Sequence, residues 1–349
     1  MIKEWNLLRT IACLSIVLLH SSTIIGRSIG YTAIENYYII RIILTYATPT
    51  FIVLSEIILS NRYQSQLPER FFLKRFKLIF LPFISFAIID AIVVNYLSVN
   101  DINIINKIIS NLAGGYEGYF ILIIFQFYIL HYIILKYRIS VEKLLPVSIT
   151  IMLAHLGLLN SDLDLIAEYK TYLKLPFTAW LGYFSVAFLI GKHYVKIANF
   201  IRNYKWMTLI LAFFSIHLIL VSFEAGYNQV DSRRIDIFPL SISISLAVLA
   251  WGQIIPNYKL INMISNFSLG IYLVHWQILR FFSPFLLEFT KDVSPTLQII
   301  IMFIFTLILS MIVIKVISLL PFGKYIIGNT KRVYQNKKKV INSGKEEIA

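Results

Sequence analysis

Charge is scarce in this sequence, and that is its first constraint. Only 14% of the 349 residues are charged and 58% are hydrophobic, where a soluble domain carries about 25% and about 45–50% respectively. With a mean hydropathy of +0.74, an enlarged soluble core is excluded. Cysteine is almost absent. Cys13 stands alone, which rules out an intramolecular disulfide and a cysteine-built zinc cluster and leaves a small buried hydrophobe as its plain role. No metal is expected. Acidic residues are few, 18 against 32 lysines and arginines, so the net charge is +14. The basic residues cluster in alternate loops and in the tail, which is not the footprint of a nucleic-acid binder, and no nucleic-acid partner is expected. A soluble domain, a low-complexity linker and an obvious internal repeat are missing too. The expected organisation is one membrane domain, 1–321, followed by a basic cytoplasmic tail, 322–349.

What is present is a series of apolar runs near 18–20 residues, each long enough to cross a hydrocarbon layer of about 30 Å. The expected spans are 6–25, 39–60, 78–97, 119–136, 145–160, 177–195, 206–223, 237–252, 264–287 and 297–320. Runs of this length make helices, not barrel strands, which alternate over about ten residues. The fold class is therefore an all-α membrane protein, a polytopic bundle of about ten transmembrane helices. Lys3 precedes the first run as in a signal peptide, but no small-residue cleavage site follows, and Arg9 and His20 interrupt the run. It reads as a retained first span.

Lysine and arginine set the orientation. Residues 61–77 hold Arg62, Arg70, Lys74, Arg75 and Lys77; residues 192–205 hold Lys192, Lys196, Arg202 and Lys205; the tail holds Lys324, Lys331, Arg332, Lys337, Lys338, Lys339 and Lys345. In the intervening loops Asp162, Asp164 and Glu168 outnumber Lys170 and Lys174, and Glu224, Asp231 and Asp236 outnumber Arg233 and Arg234. Both termini are expected in the cytoplasm. The location is a cell membrane, a bacterial plasma membrane in this reading, whose anionic inner leaflet suits the polybasic tail.

Ionisable groups inside a membrane are costly and are the default functional candidates. At 1.5 Å per residue, Arg9 and Glu56 lie within about 6 Å of the inner boundary, while His20, Asp90, Gln126 and His275 fall about 15–21 Å deep. Arg75 and Lys77 lie at the boundary itself. Arg9 and His20 are eleven residues apart, about three turns, so one helix face carries a cation and, about 16 Å deeper, an imidazole. A long anionic cofactor entering from the cytoplasm would touch the first and deliver its reactive end to the second, where histidine suits proton transfer near neutral pH. Depth does not select His20, because His131, His155 and His217 also lie within expected spans. His20 and His275 either act in catalysis or bond across helices. Arg9 is a ligand or a snorkelling anchor; Arg75 and Lys77 are ligands or topology charges. Glu56 reads as a neutraliser of Arg9, and Asp90 either orients His20 or pairs with another polar group. Gln126 reads as interhelical glue, and the aromatic run 116–120 as an interfacial anchor or a sugar-stacking surface.

The segment Leu7-Leu8-Arg9-Thr10-Ile11-Ala12, followed by His20, resembles the opening of the acyltransferase-3 family of membrane acyltransferases, which carries an arginine, ten residues and a histidine in its first span. Thr48–Ser55 resembles the family's second span, Phe72–Phe83 its basic segment leading to a proline and an aromatic residue, Gly118-Tyr119-Phe120 the start of its fourth span, and Ser268–His275 its late serine-to-histidine motif. The resemblance runs from about residue 4 to 320 and is nearest to the Gram-positive branch that includes intercellular adhesion polysaccharide proteins described as exporters. Asn6 and Leu7 stand where much of the family has Asp and Gly, and Glu56 stands where a Gly is usual. No role transfers for the missing Asp, and Glu56 has no family role.

The resemblance implies acyl transfer, often of acetyl, from cytoplasmic acyl-coenzyme A to a hydroxyl of a cell-surface glycan or its lipid-linked precursor, with Arg9, His20 and the Arg75 region as functional positions. In that expectation Arg9, Arg75 and Lys77 hold the coenzyme A phosphates, His20 is the general base or forms an acyl-histidine, Asp90 or Glu56 orients it, and His275 assists or binds the acceptor. Expected partners are the lipid bilayer, the donor, the glycan acceptor and polysaccharide-synthesis proteins. The rival expectation is a polysaccharide exporter or lipid-linked sugar flippase. A proton-coupled transporter using His20 and Asp90 is less favoured, because inverted repeats and Gly/Pro-broken helix pairs are missing.

Overall fold

A computed structural model describes residues 2–99, 102–161 and 163–331. In an apolar medium every backbone N–H and C=O must be satisfied inside the chain, and a helix does this within one segment. The apolar runs accordingly fold as α1 (Lys3–Ile29), α2 (Tyr38–Arg62) and α3 (Phe71–Leu97), α4 (Phe120–Tyr137), α5 (Val141–Leu159), α6 (Leu181–Lys192), α7 (Lys205–Glu224), α8 (Ile237–Gly252), α9 (Lys259–Phe289) and α10 (Pro295–Ile317). Short helices at Ile104–Leu112, Asp164–Leu173, Tyr194–Asn203 and Gly323–Ile327 connect or follow them. No strand occurs among the described residues.

Among the described residues, seven helical stretches are long and apolar enough to cross a membrane: α1, α2, α3, the Ile104–Tyr137 stretch that ends in α4, α5, α7 and α10. Two shorter apolar helices, Phe177–Lys192, which includes α6, and α8, sit where two further spans are expected. The 31 residues of α9 extend about 46 Å at 1.5 Å per residue. That exceeds the hydrocarbon layer, but α9 carries polar residues, burying Ser265, Ser268, His275 and Gln277 against its neighbours.

Two prolines shape the helices near the site. Pro49 has no N–H, and its ring collides with the carbonyl four residues earlier. The α2 helix breaks there, into Tyr38–Leu44 and Ala47–Arg62. Side chains take up the loosened carbonyls: Thr45 Oγ1 donates to Ile42 O (2.7 Å), and Thr50 Oγ1 (2.9 Å) and Ser241 Oγ (3.3 Å) donate to Tyr46 O. Pro82 acts likewise in α3. The turn before it widens into a π segment, Phe76–Phe80, a device that relieves the missing bond.

The α1 helix is central and packs against α2, α8, α9 and α10. Of the most apolar window, 61% is buried in α1 and 67% in α2, against 22% in α5 and in α7, so the latter two are peripheral. Without a hydrophobic drive between helices in lipid, close packing and small residues hold such a bundle. Gly191 of α6 shows it: a side-chain carbon there would collide with Ile57 O and Ser60 of α2.

The basic segments gather at one end of the bundle with the N-terminus. Tyr194 Oη donates to Glu4 Oε1 (3.0 Å), Lys3 Nζ to Ile255 O (3.0 Å) and Gln64 Nε2 to Lys192 O (3.2 Å). The helix Gly323–Ile327 packs on α3 and its π segment, so the start of the expected tail is docked. The rest of that tail, with Arg332, Lys337, Lys338, Lys339 and Lys345, lies outside the described residues, as does Asp162.

Candidate active site

The seam between α1 and α9 is polar along its length. At the N-terminal end of α1, Arg9 Nη1 donates to Ser265 Oγ (3.1 Å), Ser265 Oγ to Asn6 Oδ1 (3.1 Å), Asn6 Nδ2 to Asn262 Oδ1 (2.7 Å) and Thr10 Oγ1 to Ile261 O (2.9 Å). Helical spacing carries the same seam on to His20, three turns further along. There the His20 ring lies 5.2 Å from that of His275 and 4.7 Å, edge to face, from that of Trp276. Tyr272, one turn before on α9, lies 6.0 Å from His275, and its hydroxyl donates to Glu117 O.

His275 is 0% exposed. Its Nδ1 lies 2.9 Å from Ile271 O, a carbonyl of its own helix. A carbonyl only accepts, so Nδ1 carries the hydrogen and Nε2 presents a bare lone pair. That Nε2 is buried without a hydrogen-bond partner among the described residues, an arrangement that costs free energy unless a ligand or water completes it. His20 is the partly exposed member of the pair.

The other polar residues marked out by depth or charge lie away from this seam. Glu56 Oε1 is 2.8 Å from His131 Nδ1, and His131 Nε2 donates to Tyr63 O (3.1 Å); Glu56 thus serves His131, where neutralisation of Arg9 was expected. His155 bonds Thr178 Oγ1 (2.8 Å) and Leu173 O (2.9 Å). His217 is exposed on peripheral α7. Gln126 donates to Leu175 O (2.9 Å) and accepts from Phe177 N (2.9 Å), fastening that turn to α4, the glue role read from sequence.

Asp90 is fully buried and saturated. It accepts from Asn111 Nδ2 (2.9 Å), Gln277 Nε2 (2.8 Å) and Arg280 Nη1, with Lys107 Nζ at 4.0 Å. Of the two roles open to it in sequence, the structure displays pairing with other polar groups. Its partner Arg280 has its guanidinium 5.6 Å from the centre of the Trp276 ring, the ring that packs on His20. Arg280 also faces Glu117 at 3.9 Å. Arg75 is partly buried and stacked on Phe71 (5.1 Å) and Tyr128 (5.3 Å), while Lys77 is exposed on the π segment. Sequence reasoning passed over Trp276, Gln277 and Arg280, although Arg280 lies only five residues beyond His275 on the same helix. No cluster of three or more His, Cys, Asp or Glu able to hold a metal occurs among the described residues.

These features define the class: a polytopic helical membrane protein with an interior histidine pair. The chain belongs to the acyltransferase-3 family, whose acyltransferase domain matches residues 2–315, and it is a membrane acyltransferase. It is 32% identical to a Bacillus subtilis protein named as the membrane-bound acyltransferase YfiQ, covering 78% of this chain and 80% of the relative. It is also 28% identical to a Staphylococcus aureus protein named as a poly-β-1,6-N-acetyl-D-glucosamine export protein, over 85% and 88%, and 26% identical to its Staphylococcus epidermidis counterpart, over 78% and 79%. No solved structure gives a significant match.

Proposed function

We propose that this acyltransferase moves an acyl group, acetyl in the simplest case, from acyl-coenzyme A to a hydroxyl of a cell-surface polysaccharide or its precursor. The observation that carries this reading is the His20–His275 pair, 5.2 Å apart, on the helix seam whose other end holds Arg9. In the proposed topology α1 to α10 all span the plasma membrane, with both termini cytoplasmic. The gathering of basic segments beside the N-terminus supports that orientation, because loops rich in Lys and Arg stay inside.

Coenzyme A is then bound from the cytoplasmic end, with Arg9, Arg75 and Lys77 pairing with its phosphates. His20, the partly exposed imidazole, takes the proton of the acceptor hydroxyl. The oxygen attacks the thioester carbonyl, the carbon–sulfur bond breaks, and the imidazolium returns its proton to the departing thiolate. His275 sits behind this exchange as a second proton acceptor, and Asp90 acts at a distance by holding Arg280 beside Trp276. An acyl-histidine on His20 is the two-step version of the same chemistry. Purified protein given acyl-coenzyme A and the glycan acceptor should release coenzyme A and form an ester; a fully active His20→Ala variant would falsify the assignment.

Export is the second reading, because the Staphylococcus relatives are named for it. It needs no acyl donor. Donor-independent glycan movement in proteoliposomes, with no release of coenzyme A, would favour it.

A further inference from the structure

The end of α1 opposite Arg9 carries positive charge that the bundle does not neutralise. Arg27 lies seven residues beyond His20, about two turns, and so on the same helix face. Its guanidinium is 5.8 Å from the centre of the Trp276 ring, the ring that packs edge to face with His20. Arg41 comes in from the first half of α2 and bonds Thr23 of α1, three residues beyond His20. The second guanidinium beside Trp276, that of Arg280, has Asp90 and Glu117 as partners. Among the described residues no carboxylate pairs with Arg27 or Arg41.

Arg41 is the unusual one. It is only 5% exposed, yet it rests on the rings of Tyr31 (4.7 Å) and Tyr38 (5.6 Å) and donates to Thr23 Oγ1 at 3.3 Å. Its Nε is buried without a hydrogen-bond partner among the described residues. Buried charges are normally paired. A helix dipole favours one cation in a last turn, which covers exposed Arg27 but not the burial of an arginine with a spare donor. Two arginines at this end also run against the excess of Lys and Arg expected on the cytoplasmic side, so topology does not account for them either.

We infer that Arg27 and Arg41 form an anion-recognition site at the outer end of α1, which holds an acidic group of the acceptor, a carboxylate or a phosphate, about two turns from His20. This deepens the transfer reading, since it names the chemistry of the acceptor, and it rests on that reading for its purpose. Arginine suits the task because its planar fork matches both acids. Trp276, itself buried, packs against both His20 and the Arg27 guanidinium and so joins the acid site to the imidazole. The acid comes from one of two sources: the glycan itself, or the phosphate of a polyprenyl carrier to which the glycan is attached.

The test is direct binding to the full chain in lipid nanodiscs. One arm titrates an oligoglucuronate, the second incorporates polyprenyl phosphate, and a neutral N-acetylglucosamine oligomer is the control. One acidic probe should bind in preference to the neutral one, and Arg27→Gln should weaken it about tenfold, as expected for loss of one charge-assisted contact. Arg41→Gln should act in the same direction. If that buried variant does not fold, Arg27→Gln and the charge-keeping Arg27→Lys, which should restore part of the affinity, carry the test. Binding of oligoglucuronate assigns the acid to the glycan; binding of polyprenyl phosphate assigns it to the carrier. Equal binding of acidic and neutral probes, or an Arg27→Gln variant with unchanged affinity, overturns the site. His20→Ala should retain acid binding, so failure of the transfer chemistry is read separately from failure of the acid site.

Discussion

Two histidine sites inside the bundle contain the same kind of group and differ in how completely it is satisfied. His131 uses both ring nitrogens, one on Glu56 and one on Tyr63 O, and is 0% exposed. His275 is as deeply buried but uses one nitrogen, on its own helix, and leaves the other bare beside the ring of His20. A saturated buried pair holds helices together. A buried acceptor without a partner has retained free energy to spend on a ligand. The difference separates a structural histidine from a functional candidate at equal depth, which depth alone could not do.

The comparison can be broken most sharply at His20. His20→Ala should lower acyl transfer by a factor of about 10²–10⁴, the usual contribution of a positioned general base, while the thermal midpoint in detergent stays near that of the parent. The same change at the saturated site should give the opposite pattern. His131→Ala strips the partner from buried Glu56 and should cost about 3–5 kcal/mol of stability, read as a lowered thermal midpoint, with kcat of the surviving folded fraction near normal. If His131→Ala abolished transfer in well-folded protein, the division drawn here would be wrong.

Asp90 tests the ground between the two. Asp90→Asn removes a charge from a saturated cluster but keeps Asn111, Gln277 and Arg280 within hydrogen-bond reach. It should cost about 1–3 kcal/mol and reduce transfer only as far as Arg280 and Trp276 shift, so a loss as large as that of His20→Ala would move Asp90 into the chemistry itself. The smallest effect belongs to Glu56→Gln, which keeps one hydrogen bond to His131. A stability loss of about 1 kcal/mol is expected, with unchanged transfer in a coenzyme A release assay.

Much of the fold was legible because a membrane imposes simple arithmetic. Each apolar run expected to be a span coincides with a helix, from 6–25 within Lys3–Ile29 to 297–320 over Pro295–Ile317. The run at 145–160, short in sequence, is a full 19-residue helix, Val141–Leu159. It gains its first turn from Ser140, whose Oγ accepts from Lys143 N at 3.4 Å, a cap that hydropathy does not weigh. The break in α2 was signalled by Pro49 but hidden by the continuity of the apolar run. The candidate site was legible in part. The periodicity that joins Arg9 to His20 is local, so sequence contains it. The partners of Asp90 and Glu56 are not local: Gln277 and Arg280 lie nearly two hundred residues from Asp90 (separations of 187 and 190), and His131 lies 75 from Glu56.

By itself, then, the sequence determined that this chain is a helical membrane protein, where its apolar helices run, and that one helix face carries both a cation and an imidazole. Those features depend on hydropathy and on a repeat of 3.6 residues, which act over one or a few turns. Only the tertiary structure decided which histidine is saturated and which is left with a bare nitrogen, that Asp90 belongs to Arg280 and Gln277, and that Arg27 and Arg41 stand without an acid among the described residues. Each of these is a question of which side chains meet across helices, and that depends on how the whole bundle packs.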